Sequence, residues 1–252
     1  IPSWRPARNQ LLITVRNSGP SNAYQVRLEV SVAGRTWEGI AQDMVVPQRY
    51  YREMFNIELD EKARRTPVII TVRYSDEEGY MCSAVNVAPL ALHSAGVPDI
   101  RAKVDSVKIN DTATIEAVFY NGTEAEVAGT FRFIGTDELA AGIGTVPISL
   151  AAGAKERVIV PISNLAGRPG SQYRSFLMIE TEDLSGMTDF VTVPVMVSII
   201  SKSGSQSTMN MAPDNRNKIK LMGLHIFCTS SVRLLKAPIN NPNAAPNQAS
   251  NS

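Results

Sequence analysis

Between Tyr24 and Val32 apolar and polar residues alternate without a break. Tyr24, Val26, Leu28, Val30 and Val32 are separated by Gln25, Arg27, Glu29 and Ser31. A period of two places the first set on one face of a β-strand and the second on the other, so this stretch predicts a strand with one buried and one wet face. Gly34 turns the chain and residues 36–40 return it. Leu11 to Val15 predicts an earlier strand, closed by the turn residues Asn17, Ser18, Gly19 and Pro20. A further alternation starts at Met54 and Phe55 and continues through Ile57 and Leu59. The charged stretch from Glu61 to Arg65 predicts an exposed helical turn.

The same order of signals then restarts. Ile100, Ala102, Val104 and Val107 predict a strand. Thr114 to Tyr120 predicts the next, closed by Asn121, Gly122 and Thr123. Val127, Gly129, Phe131 and Phe133 alternate up to a turn at Gly135. Thr145, Val146 and Pro147 lead to the run Arg157 to Val160, followed by a loop from Gly167 to Gly170.

One compound element occurs twice. Pro67 to Pro89 and Arg174 to Met196 each hold an apolar run, an acidic turn ending in glycine, and a second run. Both predict β-hairpins. Gly79 and Gly186 supply the positive φ that such turns need, and Asp76 and Asp183 stand where a carboxylate can bond the turn backbone. The two halves superpose as sequences. Arg16–Ser18 falls on Tyr120–Gly122, and Val30, Val32 and Gly34 fall on Phe131, Phe133 and Gly135. Val46-Pro47 falls on Val146-Pro147, Phe55 on Ile159, and Gly79 on Gly186.

Short strands at regular spacing, about seven in each half, predict an all-β fold of two tandem immunoglobulin-like β-sandwich domains. The first occupies 1–92, a Pro/Gly linker 93–98, and the second 99–200. Residues 201–252 read as a mostly disordered, flexible basic tail. Within it Ile219–Lys236 is apolar without a clean period. Ile1 in place of methionine reads as a chain excised from a longer one.

Composition narrows the function classes. The 252 residues are 44% hydrophobic with a net charge of +1, enough for packed cores and too neutral for a strong overall field. The charge is uneven. Six basic residues against Asp214 give the tail +5, which leaves −4 on the preceding residues. The tail lacks dense Lys/Arg clusters with interleaved aromatics, so no nucleic-acid partner is expected. The run from Phe190 to Ile200 is far shorter than the roughly 20 apolar residues of a membrane helix, so no membrane span is expected in this chain. Cys82 and Cys228 form neither a disulfide framework nor a zinc site. His93 and His225, the only histidines, fall in the linker and the tail, where no scaffold holds a general base. Gly142 and Gly144 are followed by Pro147 where a dinucleotide fingerprint needs glycine, and read as a turn. No catalytic residue and no cofactor is expected.

Two groups of residues remain as candidates. Asp76, Glu78, Glu182 and Asp183 carry the oxygen ligands that Ca²⁺ takes, although each turn alone offers few and metal is not the expectation. Asn110 and Asn121 open Asn-x-Thr tripeptides at predicted turns and are candidate glycosylation sites.

The residues from Val97 to Val104, from Thr114 to Thr123 and from Ala128 to Phe133 together resemble CARDB-type modules. These are immunoglobulin-like domains of archaeal and bacterial cell-surface and S-layer-associated proteins. The matching features are a Pro-Asp-apolar opening, a strand ending in an Asn turn, and an alternating strand after it. Val15 to Val26 repeats the same features in the first half. The resemblance covers roughly Asn9 to Ile200 and departs at Tyr50, Tyr51 and Arg52, where such modules carry glycine and small residues. It implies extracellular display, adhesion or spacing, with no catalytic residues.

The expectation is therefore a non-enzymatic, extracellular cell-surface module. Its parent chain would be membrane- or envelope-anchored. It would pair with protein partners or with itself through exposed strand edges, with a glycan as a further partner. Two other classes fit the same sequence. One is a virion structural protein, the other a pair of accessory domains of a secreted hydrolase.

Overall fold

Residues 3–5, 10–57, 63–91, 99–182 and 186–201 are described by the computed structural model. The linker expected at 93–98, Asp183, His93, and all of the tail beyond residue 201, with His225 and Cys228, lie outside them.

Among the described residues, eight strands build the first sandwich: β1 (Ser3–Arg5), β2 (Gln10–Arg16), β3 (Ala23–Val32), β4 (Arg35–Glu38), β5 (Gln42–Val45), β6 (Tyr50–Asn56), β7 (Arg65–Ser75) and β8 (Met81–Ala91). One sheet runs β1-β2-β6. The other runs β4-β3-β7-β8, with β5 also on β3. Alternation decides what lies between them. Leu11, Ile13 and Val15 of β2 meet Val26, Leu28, Val30 and Val32 of β3 and Val68, Ile70 and Val72 of β7, all buried. Each such side chain contributes about 1.5–3 kcal/mol of apolar burial. The helical turn expected before β7 is not formed by its described part. Ala63 bridges in parallel to Thr188 and is buried, and Arg65 already opens β7.

Nine strands among the described residues build the second: β9 (Ile100–Val104), β10 (Val107–Ile109), β11 (Thr112–Asn121), β12 (Val127–Ile134), β13 (Leu139–Ala141), β14 (Val146–Leu150), β15 (Lys155–Asn164), β16 (Gln172–Glu182) and β17 (Thr188–Ile199). The sheets are β13-β15-β11-β9 and β10-β17-β16-β12-β14. β10 lies parallel to β17 while the other ladders are antiparallel, so the first strand pair is split between the two sheets as in immunoglobulin-like sandwiches. Phe119 and Phe131, both fully buried, meet edge to face with centroids 5.9 Å apart at the middle of this core.

The internal repeat is visible in one pair of side chains. Asn17 and Asn121 are both buried. Asn17 Nδ2 donates to the carbonyls of Ser21 and Val45, and Oδ1 accepts from the Gly19 N–H. Asn121 Nδ2 donates to the carbonyls of Ala125, Leu150 and Ala151, and Oδ1 accepts from the Thr123 N–H. The same amide closes the same corner twice.

This corner corrects the superposition read from the sequence. Val45 corresponds to Leu150, so Val46-Pro47 does not correspond to Val146-Pro147. Phe55 pairs with Leu11 as Val160 pairs with Ile115, so Phe55 corresponds to Val160 and not to Ile159. A slip of one residue changes the face. Val160 is fully buried, while Ile159 is 53% exposed.

Candidate functional site: a two-faced hairpin interface and an open seam

The two repeated hairpins, β7–β8 and β16–β17, turn at Gly79 (φ 80°) and Gly186 (φ 76°), as the turn chemistry predicts. Asp76 Oδ1 accepts from the Glu78 and Tyr80 N–H groups. What alternation alone does not show is that both hairpins are covered on two sides. In β16, Leu177 and Ile179 face the second core, while Phe176 and Met178 face the other way and are also buried. In β8, Ala88 and Leu90 enter the first core, while Val85 and Val87 point outward. The outward residues meet. Val85, Val87 and Ile69 of the first sandwich pack with Ile134, Phe176, Met178 and Phe190 of the second as a third apolar cluster. The sequence signal for this was the unbroken run Phe176 to Ile179, since a strand buried on both faces loses its alternation.

Polar groups surround that cluster, as in an interface with an apolar centre and polar rim. Arg65 Nε lies 2.6 Å from Asp189 Oδ1, its Nη2 donates to the Phe190 carbonyl, and its guanidinium lies over the Phe190 ring. Arg73 is shared between Glu29 of its own sandwich, at 2.7 Å, and Asp137 of the other, at 2.5 Å. Glu138 is only 4% exposed and accepts from the Ser83 N–H at 2.6 Å and the Ser83 hydroxyl at 2.7 Å. The Asp137 N–H donates to the same Ser83 oxygen. None of Arg65, Arg73, Ser83, Asp137, Glu138 or Asp189 stood out in the sequence, because each is an ordinary strand or turn residue until the sandwiches meet.

The candidate calcium ligands are engaged otherwise. Asp76 Oδ2 lies 2.5 Å from Arg168 Nη2, and Glu78 lies 3.4 Å from Nη1 of the same guanidinium, which also stacks 3.8 Å from the centroid of Tyr80. An arginine from the second sandwich therefore stands where a cation would. Partial burial works to raise the Asp76 pKa. The Tyr80 N–H, Arg168 and the Glu78 N–H outweigh it and hold the carboxyl below its ordinary value. Glu182 is exposed at the end of β16. Among the described residues no three acidic, histidine or cysteine side chains gather as a metal site.

The two candidate glycosylation residues differ. Asn121 is fully buried with its amide nitrogen committed to three carbonyls, so the structure corrects that reading: an acceptor nitrogen must be free and exposed. Asn110 is half-buried, and its carbonyl accepts from Asn164 Nδ2.

Both sandwiches are open along the same seam. In the first, a groove of about 320 Å³ lies between β5 and β6, lined by Gln42, Met44, Arg49, Tyr50, Tyr51 and Arg52 among others. In the second, a groove of about 250 Å³ lies between β14 and β15, lined by Phe131, Val146, Ile148, Glu156 and Val158 among others.

No protein-family model matches the chain, and no curated protein matches it. Solved structures with distant likeness exist. The Escherichia coli chaperone DraB is 10% identical, with 42% of this chain and 57% of that one covered and a TM-score of 0.30. Salmonella alpha-2-macroglobulin reacted with methylamine is 10% identical, covering 79% and 16%, at 0.33. A bacterial ice-binding adhesin of 1.5 MDa is 15% identical, covering 79% and 60%, at 0.26. The chain thus spans less than two thirds of each of these proteins. The immunoglobulin-like assignment rests on the sheet topology. Among the described residues no helix is long and apolar enough to cross a membrane.

Proposed function

We propose that the chain is a non-enzymatic structural module displayed at a cell surface, in which two sandwiches act as one stiff spacer. The observation that carries this reading is the two-faced hairpin interface. A flexible tether would leave the outer faces of β8 and β16 polar. Here they are apolar, buried and rimmed by ion pairs across the junction. The buried carboxylates Glu138 and Asp189 are spent on that junction, which is work of a structural kind. The CARDB-type resemblance adds the expectation of an extracellular setting and of partners met through strand edges.

Surface labelling of intact source cells with a membrane-impermeant amine reagent tests the setting. Labelling of this chain is expected. Its recovery solely from the soluble cytosol, unlabelled, would overturn the reading. Small-angle scattering tests the spacer: one narrow shape distribution is expected, and a broad mixture of inter-sandwich angles is the opposing result.

A further inference from the structure

Tyr50, Tyr51 and Arg52 lie along the open seam of the first sandwich. The two seams differ in one pairing. In the second, Arg157 is neutralised by Glu116 at 2.5 Å. The registers put Arg52 at the position of Arg157 and Leu12 at the position of Glu116. The guanidinium is kept and its carboxylate is not.

Two more cations join it. Arg16 and Arg52 approach the Tyr50 ring at 5.7 and 5.8 Å from its centroid; Arg49 and Arg52 line the groove, while Arg16 stands beside it on β2 and donates to Gln48 Oε1. Among the described residues no carboxylate pairs with Arg16, Arg49 or Arg52. Guanidinium groups without a carboxylate partner raise the local positive potential, which an entering anion relieves. Their planar forks match the oxygens of carboxylate and sulfate groups. The ring of Tyr50 is 54% exposed, and the Gln42 amide and Met44 lie on the same groove, so hydroxyl and C–H surfaces also find complements.

Size and shape restrict the ligand. A volume of about 320 Å³ is at the lower end of the ~300–1,000 Å³ typical of small-ligand sites. The seam is also closed at one end. The Tyr51 hydroxyl donates to the Ile40 carbonyl and Glu53 accepts from the Ile40 N–H, which ties residue 40 to β6. An extended acidic peptide adding along the strand would need that length free.

We propose that this groove binds an acidic sugar unit, carboxylate- or sulfate-bearing, of a polysaccharide. The polysaccharide source rests on the surface reading above; the chemistry of the groove does not. Isothermal titration of the full chain with trigalacturonate and with a heparin-derived disaccharide tests it, with maltotriose and hexaglutamate as the neutral and peptide probes. The expected result is saturable, salt-sensitive binding of at least one acidic sugar and none of maltotriose. Arg49→Gln and Arg52→Gln are each expected to weaken it about tenfold with an unchanged melting temperature, while Arg157→Gln leaves it intact. Failure of both acidic sugars to bind overturns the proposal. So does hexaglutamate binding as tightly, or both groove variants binding like the unaltered protein. A negative surface-labelling result alongside positive titration would remove the polysaccharide source and leave the site standing.

Discussion

Asn121 shows how much one side chain can carry in a sandwich without a disulfide among its described residues. Its amide satisfies three carbonyls at the corner joining β11, β12 and β14. Alanine would take this donor from the buried Leu150 carbonyl and from the Ala151 carbonyl, would leave Ala125 only the Thr123 hydroxyl, and would empty the space of the amide. Asn121→Ala is therefore expected to destabilise the chain by about 2–4 kcal/mol, since each orphaned buried group costs about 1–3. Asn17→Ala should behave alike in the first sandwich, where the amide meets two carbonyls. Urea denaturation of both variants checks this, and a loss below 1 kcal/mol in either would refute the corner role. The sequence showed Asn17 and Asn121 as equivalent turn residues and offered Asn121 as a glycan acceptor. It could not show that the amide points inward, because an Asn-x-Thr tripeptide encodes a turn and says nothing of which carbonyls converge on it.

Strand-level reading was accurate where one face is wet and the other dry. β3 was legible from its alternation from Val26 onward, but a bulge at Gln25 (φ 50°) shifts the register so that Ala23 and not Tyr24 enters the core; both hairpins were legible from their acidic Gly turns. It failed where the pattern is short or symmetric. β5 and β13, of four and three residues, carry no periodic signal. Val158 to Val160 is apolar at consecutive positions, so Ile159 and Val160 competed for the inward place and only the ladder with β11 decides it. Close strand approach is equally invisible in sequence. A Cβ on Gly129 would lie 2.1 Å from the Glu180 carbonyl oxygen across the β12–β16 ladder, and that oxygen belongs to backbone that cannot rotate away. Gly129→Ala must push the two strands apart and is expected to cost about 1–3 kcal/mol, the range of overpacked sites, read by thermal unfolding. Gly144→Ala, where the added carbon meets nothing within 4 Å, is the control and should be near neutral.

The hairpin turn at Asp76 adds a pH dependence at this scale. Hydrogen bonds and Arg168 lower the folded-state pKa of this carboxyl below its unfolded value. A lowered carboxylate pKa means stability that is present above the unfolded pKa, near 4, and is lost as pH falls through the folded value. The melting temperature should therefore fall on acidification below about pH 4. Asp76→Asn should flatten part of that fall while lowering stability at neutral pH. An acid limb identical in the variant would show that Asp76 contributes nothing to it.

For the whole molecule, the question is whether the junction makes two sandwiches into one cooperative unit. Area favours it, because Phe176, Met178, Val85 and Val87 are buried there. Truncating a buried Phe typically costs about 3–5 kcal/mol. At Phe176 that loss falls on the junction, since the core-facing neighbours Leu177 and Ile179 are untouched. The ion pairs are secondary. Arg73–Asp137 and Arg168–Asp76 are partly exposed, where a pair is worth about 0–1 kcal/mol. Glu138 differs, being buried with one oxygen on the Ser83 N–H and the other on the Ser83 hydroxyl, so removing that hydroxyl leaves one buried carboxylate oxygen without a donor. The unaltered chain is accordingly expected to unfold in a single calorimetric transition. Phe176→Ala combined with Ser83→Ala should split it into two, each close to that of one sandwich, with a broader scattering distribution. Arg73→Gln alone should leave the single transition in place. If the double variant still melts as one unit, the hairpin contacts are not what couples the sandwiches, and the spacer reading loses its mechanical basis.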